Sequence, residues 1–143
     1  MIDSILLVDD ENLFHLVFED ACSLLDISLS LESIDSSDEA AKLFSGWQKD
    51  PSGKPECVFV DLNIIGSSYD GIELIRKINF EYGNNVVIGI ISSSNEAEEQ
   101  AKAIQSGAQF WIIKSDEIEP RLEEFKKDYE GYKNRTAPFK IYK

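Results

Sequence analysis

The chain predicts an α/β fold, a parallel sheet wrapped by helices, and three observations carry that prediction. Apolar runs of strand length alternate with longer stretches of helical period, which is the pattern of repeated βα units. Five such units can be counted along 143 residues, a length that suits one domain and one core. The polar residues most suited to chemistry fall directly after apolar runs, where the carboxyl ends of parallel strands converge.

The first strand reads Ser4-Ile5-Leu6-Leu7-Val8, and the helix after it, from Asn12 to Leu25, repeats Leu13, Leu16, Val17, Ala21, Leu24 and Leu25 at three- and four-residue spacing. That spacing predicts a core-facing stripe of those six residues. The second strand, Ile27 to Glu32, alternates Ile27, Leu29 and Leu31 as a sheet edge would. Ser37 or Asp38 can cap a helix reaching Gln48, and the polar stretch from Lys49 to Pro55 then reads as a loop. The third strand, Cys57-Val58-Phe59-Val60, ends at Asp61, and Asp70-Gly71 opens a helix from Ile72 to Phe80. The fourth strand, Val86 to Ile91, runs into Ser92-Ser93-Ser94-Asn95, which can cap a helix from Glu96 to Ser106 stopped by Gly107. The fifth strand, Gln109 to Ile113, ends at Lys114. The last helix starts near Asp116, tolerates Pro120 in its first turn and carries Ile118, Leu122, Phe125 and Tyr129 on one face to about Tyr132.

Composition excludes several classes. No apolar run approaches the roughly 20 residues of a membrane span, and Met1-Ile2-Asp3 leads straight into a strand with no basic leader, so a soluble, cytoplasmic chain is expected. The net charge of −13 disfavours direct nucleic-acid binding, which needs clustered Lys and Arg. Cys22 and Cys57 sit in apolar contexts without metal-ligand spacing and read as buried free thiols. Residues 128–143 carry net +2 and leave −15 on residues 1–127, which sets a basic, aromatic C-terminal tail apart from a domain over 1–127. With Tyr129, Tyr132, Phe139 and Tyr142, the tail either extends and covers the last helix or docks a partner; extension is the simpler reading.

Asp9 and Asp10 follow the first strand, Asp61 the third, Ser92 the fourth and Lys114 the fifth, so residues distant in sequence can share one pocket at the sheet's carboxyl edge. Taken singly each has a plain explanation: Asp9 and Asp10 can cap the first helix, and Ser92 can cap a turn. Together, three carboxylates in one pocket repel unless a cation is present, and Mg²⁺ suits hard oxygen ligands. Asp10 and Asp61 would be direct ligands, Asp9 would act through water, and the backbone carbonyl of Asn63 would complete the protein's share. A carboxylate can also attack phosphorus, and Lys114 and Ser92 could stabilise the charge that develops. His15, alone on the first helix, is given no role.

These residues resemble a response-regulator receiver domain over residues 3–127, similar to the single-domain chemotaxis regulators of two-component signalling. The resemblance rests on the acidic pair in ILLVDDEN, Asp61 in VFVDLNI, Asp70-Gly71, Ser92 in IGIISSS, and Gly107-Ala108, Trp111 and Lys114 in GAQFWIIK. It implies a flavodoxin-like sheet of five strands in the order 2-1-3-4-5 with five helices. It further implies that Asp61 accepts a phosphoryl group from a histidine kinase or histidine phosphotransfer protein, with Mg²⁺ as cofactor. Ser92 and Trp111 are then the switch residues that remodel a face for a downstream target protein. A stand-alone switch, monomeric or weakly dimeric, with slow self-dephosphorylation rather than turnover, is the expectation. Two departures stand out: Ser115 replaces the usual proline, so a trans bond is expected because a non-proline cis bond costs about 3 kcal/mol, and the loop Ile64-Ile65-Gly66-Ser67-Ser68-Tyr69 is longer than the common form. Two rivals remain. A small Mg²⁺-dependent phosphohydrolase would need a general acid where Asn63 stands, and a phosphorylation-independent interaction module would have no use for the full polar set.

Overall fold

The computed structural model describes residues 2–50, 53–62 and 70–143. Its elements are β1 (Ile2–Val8), α1 (Asn12–Leu24), β2 (Ser28–Ile34), α2 (Ser37–Lys49), β3 (Cys57–Asp61), α3 (Gly71–Tyr82), β4 (Val87–Ser92), α4 (Ala97–Ser106), β5 (Phe110–Ile113), α5 (Glu119–Lys133) and β6 (Lys140–Tyr142). The strands form one sheet in the order β2-β1-β3-β4-β5-β6, and every pair is parallel. No helix among the described residues is long and apolar enough to cross a membrane.

Both faces of the sheet are covered, so its central strands are apolar on both sides. In β1, Ile5 and Leu7 face a core shared with α1 and α5, while Leu6 and Val8 face one shared with α2, α3 and α4. In β3, Cys57 and Phe59 join the first core, Val58 and Val60 the second. The first core is rich in aromatic contacts: Phe59, Phe110 and Phe125 pair with centroids 4.5 to 5.3 Å apart. Each such pair adds about 0.5–1.5 kcal/mol beyond its buried area.

The helix boundaries follow local chemistry. Ser36, one residue before the expected cap, accepts from the Glu39 N–H and starts α2. Asp70 and Glu73 form a reciprocal capping box at α3, which places Gly71 at the first helical position. Gly107 ends α4 with φ +111°, a left-handed geometry that penalises other residues.

α1 corrects the sequence reading. Its buried stripe is Phe14, Phe18, Ala21 and Cys22, whereas Leu13, Leu16 and Leu24 are 75%, 60% and 72% exposed. Two apolar stripes share this helix, and the aromatic one reaches further into the sheet, with Phe18 in edge contact with Phe59 at 5.1 Å.

The second difference is β6, which extends the expected five strands to six. Residues of the C-terminal segment turn after α5 through Arg135 at φ +59°, and Tyr142 pairs beside Ile112. A polar clamp fixes it: the Tyr142 hydroxyl lies 2.8 Å from that of Tyr132 and donates to Asp128 Oδ2 at 2.7 Å. Lys140 bonds Glu124 at 2.6 Å and Asp128 at 2.9 Å. The basic and aromatic character of the tail is thus that of an edge strand tied to α5.

Candidate functional site

The site lies along the carboxyl edge of the sheet. Asp9 follows β1, Asp61 ends β3, Ser92 ends β4 and Lys114 follows β5, and all but Lys114 are buried as whole residues. The Lys114 N–H donates to the Ser92 carbonyl at 2.7 Å, which carries the β4–β5 pairing one step beyond the strands. Peptide bonds among the described residues are trans, that before Ser115 included.

Gly71 explains how Asp61 is held. Its N–H donates to the Leu62 carbonyl at 3.1 Å, and a Cβ there would stand 2.2 Å from the Asp61 carbonyl oxygen. The start of α3 therefore lies directly on the backbone of Asp61, an approach that only glycine permits.

Lys114 is the hub of the charges. Its amine lies 2.8 Å from Asp9 Oδ2, 2.9 Å from Glu11 Oε1 and 3.6 Å from Asp61 Oδ2, with its side chain 7% exposed. The same amine sits 4.7 Å from the centroid of Phe14, the ring that leads the buried stripe of α1. Burial alone would lower the lysine's pKa; its bonds to Asp9 and Glu11 and the charge of Asp61 outweigh this and hold it above the ordinary value. Burial pushes the Asp9 carboxyl up, against the opposing hydrogen bond from Lys114. Asp9 Oδ1 accepts from the Glu11 N–H at 2.8 Å, and the His15 ring nitrogen meets the Asp9 carbonyl, so the acidic loop is tied to α1 from two sides.

One oxygen each from Asp9, Glu11 and Asp61 lie within 4.8 Å of one another. Three carboxylates, those of Asp9 and Asp61 buried and that of Glu11 exposed, against one ammonium leave net negative charge, and hard oxygen donors at this spacing suit Mg²⁺. Asp10 is half-buried beside Asp9 and lies outside that trio. Asn63 and the loop to Tyr69, with its expected carbonyl ligand, lie outside the described residues.

Ser92 and Trp111, expected from the resemblance to act as a pair, are linked through Ser94. Trp111 is fully buried, not half-buried as a strand aromatic would be by default, and its indole N–H donates to the Ser94 carbonyl at 3.0 Å. The Ser94 N–H in turn donates to Ser92 Oγ at 3.1 Å. Sequence reasoning missed Glu11 and Ser94, and it gave His15, which braces Asp9, no role. Glu11 extends the acidic run and could have been found by its charge, whereas nothing local marks Ser94.

Comparison with known proteins identifies the family and the fold. The family model of the response regulator receiver domain matches residues 5–123. No curated protein matches the chain at a significant level. Among solved structures, a response regulator in red light signalling of R. palustris is similar at 18% identity and TM-score 0.74, with 95% of this chain and 96% of that one covered. The signal receiver domain of an HD domain-containing protein from Pseudomonas fluorescens is similar at 18% identity and TM-score 0.73, covering 94% and 99%. NtrX from Brucella abortus is similar at 22% identity and TM-score 0.72, and there the match covers 94% of this chain but only 29% of the other. At these identities the structures speak for the fold, a flavodoxin-like parallel sheet; the family model speaks for descent. The chain belongs to the response regulator receiver domain family.

Proposed function

We propose that the chain is a phosphoacceptor switch in which Asp61 takes a phosphoryl group from a histidine kinase or a histidine phosphotransfer protein. The observation that carries this reading is the Asp61 carboxylate, almost buried at the end of β3 and 3.6 Å from the Lys114 amine. An oxygen of Asp61 forms a bond to phosphorus as the bond from phosphorus to the donor's histidine nitrogen breaks, and the electron pair leaves with the imidazole. Lys114 supplies a positive charge and Ser92 a hydroxyl to the phosphoryl oxygens. Asp10 and Asp61, with Asp9 through water and the Asn63 carbonyl, would hold Mg²⁺, which when bound neutralises charge on the phosphoryl oxygens.

The output is a protein contact on the face of α4, β5 and α5, biased through Ser92, Ser94 and Trp111. Residues 1–127 carry the receiver activity, and 128–143 brace it. Turnover is not part of the reading: dephosphorylation is slow, and the protein acts in the cytoplasm.

Incubation with Mg²⁺ and acetyl phosphate, followed by intact-mass measurement, tests this. The switch gains the mass of one phosphoryl group and loses it slowly. Continuous release of inorganic phosphate would indicate a phosphohydrolase, and an unchanged mass an inert interaction module; either overturns the proposal.

A further inference from the structure

We propose that Glu11 is a positioning residue for phosphoryl capture, a latch that holds the Lys114 amine toward β1 and away from the acceptor; the inference rests on the reading of Asp61 given above. The Lys114 amine is shared unequally. It lies 2.8 and 2.9 Å from Asp9 and Glu11 but 3.6 Å from Asp61. The two nearer partners differ in what they can do. The Asp9 side chain is fully buried and its other oxygen is engaged by the Glu11 N–H, so it is a fixed partner. The Glu11 side chain is 64% exposed and can rotate into water at little cost.

When an Asp61 oxygen bonds to phosphorus and the donor's own bond to phosphorus breaks, charge builds on oxygens that Lys114 must meet. The amine can move toward them while keeping Asp9, but it must first let go of Glu11. Glu11 therefore sets a threshold on the rate without touching the reacting atoms. An exposed ion pair of this kind corresponds to a factor of about two to five in an equilibrium.

The test measures labelling by acetyl phosphate across donor concentrations, at saturating Mg²⁺, for the parent, Glu11→Gln, Glu11→Asp and Asp61→Asn. In labelling by this donor the new bond from Asp61 to phosphorus replaces the bond to acetate, which leaves with the electron pair. Glu11→Gln removes the charge; Glu11→Asp keeps it on a side chain one methylene too short to hold the amine. The latch predicts that both raise the maximal labelling rate about two- to fivefold with little change in KM. If only Glu11→Gln labels faster, or the gain lies in KM, simple repulsion of the anionic donor accounts for it and the latch is wrong. Unchanged or slower labelling by both variants overturns it equally. Labelling of Asp61→Asn at the parent's rate would instead remove the underlying reading of Asp61, and the latch with it.

Discussion

The indole N–H of Trp111 on β5 donates to the carbonyl of Ser94 at 3.0 Å, across the loop that begins with Ser92. Because the Ser94 N–H also reaches Ser92 Oγ, one residue joins the hydroxyl at the site's rim to a fully buried aromatic. A change at Ser92 therefore has a direct mechanical route into the core between the sheet and α4.

Replacement of Trp111 by Phe removes that route. The lost indole volume and the unmade bond to Ser94 lower stability by about 1–3 kcal/mol. In the parent, phosphorylation should change tryptophan fluorescence; in Trp111→Phe, which retains Trp47, the change should disappear. Equilibrium unfolding and fluorescence titration with acetyl phosphate measure the two effects.

Gly71→Ala presses a methyl group onto the Asp61 carbonyl and Leu62 Cα, at 2.2 and 2.9 Å. Both obstacles are backbone, so relief requires α3 or the end of β3 to shift. A loss of about 1–3 kcal/mol is expected, accompanied by slower labelling at Asp61. A variant as stable and as reactive as the parent would contradict the placement of α3.

Acid should loosen β6 through Asp128. Burial raises this carboxyl, but hydrogen bonds from Tyr142 and Lys140 outweigh it and hold the pKa below its ordinary 3.8. A depressed folded-state pKa gives stability that is present above 3.8 and is lost as pH falls through the lower value in the folded protein. Urea midpoints measured downward from about pH 5 should therefore fall more steeply in the parent than in Asp128→Asn, which lacks the titrating group.

Tyr142→Phe deletes the hydroxyl that bridges Tyr132 and Asp128 while keeping the ring in the core. The expected cost is about 0.5–1.5 kcal/mol. Deletion of residues 137–143 costs more, since it also exposes the buried face of Tyr132. Chemical denaturation of the two variants ranks them, and equal stabilities would show that β6 is not held as described.

The thiols should be silent in the folded protein. Burial raises Cys22 to about 12 and pushes Cys57 up as well. An aromatic disulfide reagent at neutral pH should label neither until denaturant is added, and rapid labelling of the native protein would contradict their burial.

Much of this was legible from the chain. The strands β1, β3, β4 and β5 announce themselves because each is apolar on both faces, and Asp61, Ser92 and Lys114 declare a site because they fall at strand ends. α1 misled because Leu13, Leu16 and Leu24 keep helical spacing as faithfully as Phe14, Phe18 and Cys22 do; only the sheet decides which stripe is buried. β6 was hidden because three residues, Lys140-Ile141-Tyr142, carry too little pattern to mark a strand, and its hold comes from Tyr132, Asp128 and Glu124 on α5. The charge of Glu11 is plain in the acidic run, but its partner was hidden for a related reason: Lys114 lies 103 residues away.

The most direct test of the central claim compares the parent with Asp61→Asn under Mg²⁺ and a phosphorylated histidine donor, with peptide mapping of the product. The account predicts a single phosphoryl group on the peptide that contains Asp61, dependent on Mg²⁺ and abolished by the substitution. Labelling of Asp61→Asn to the parent's level, or a phosphoryl group mapped elsewhere, would contradict it.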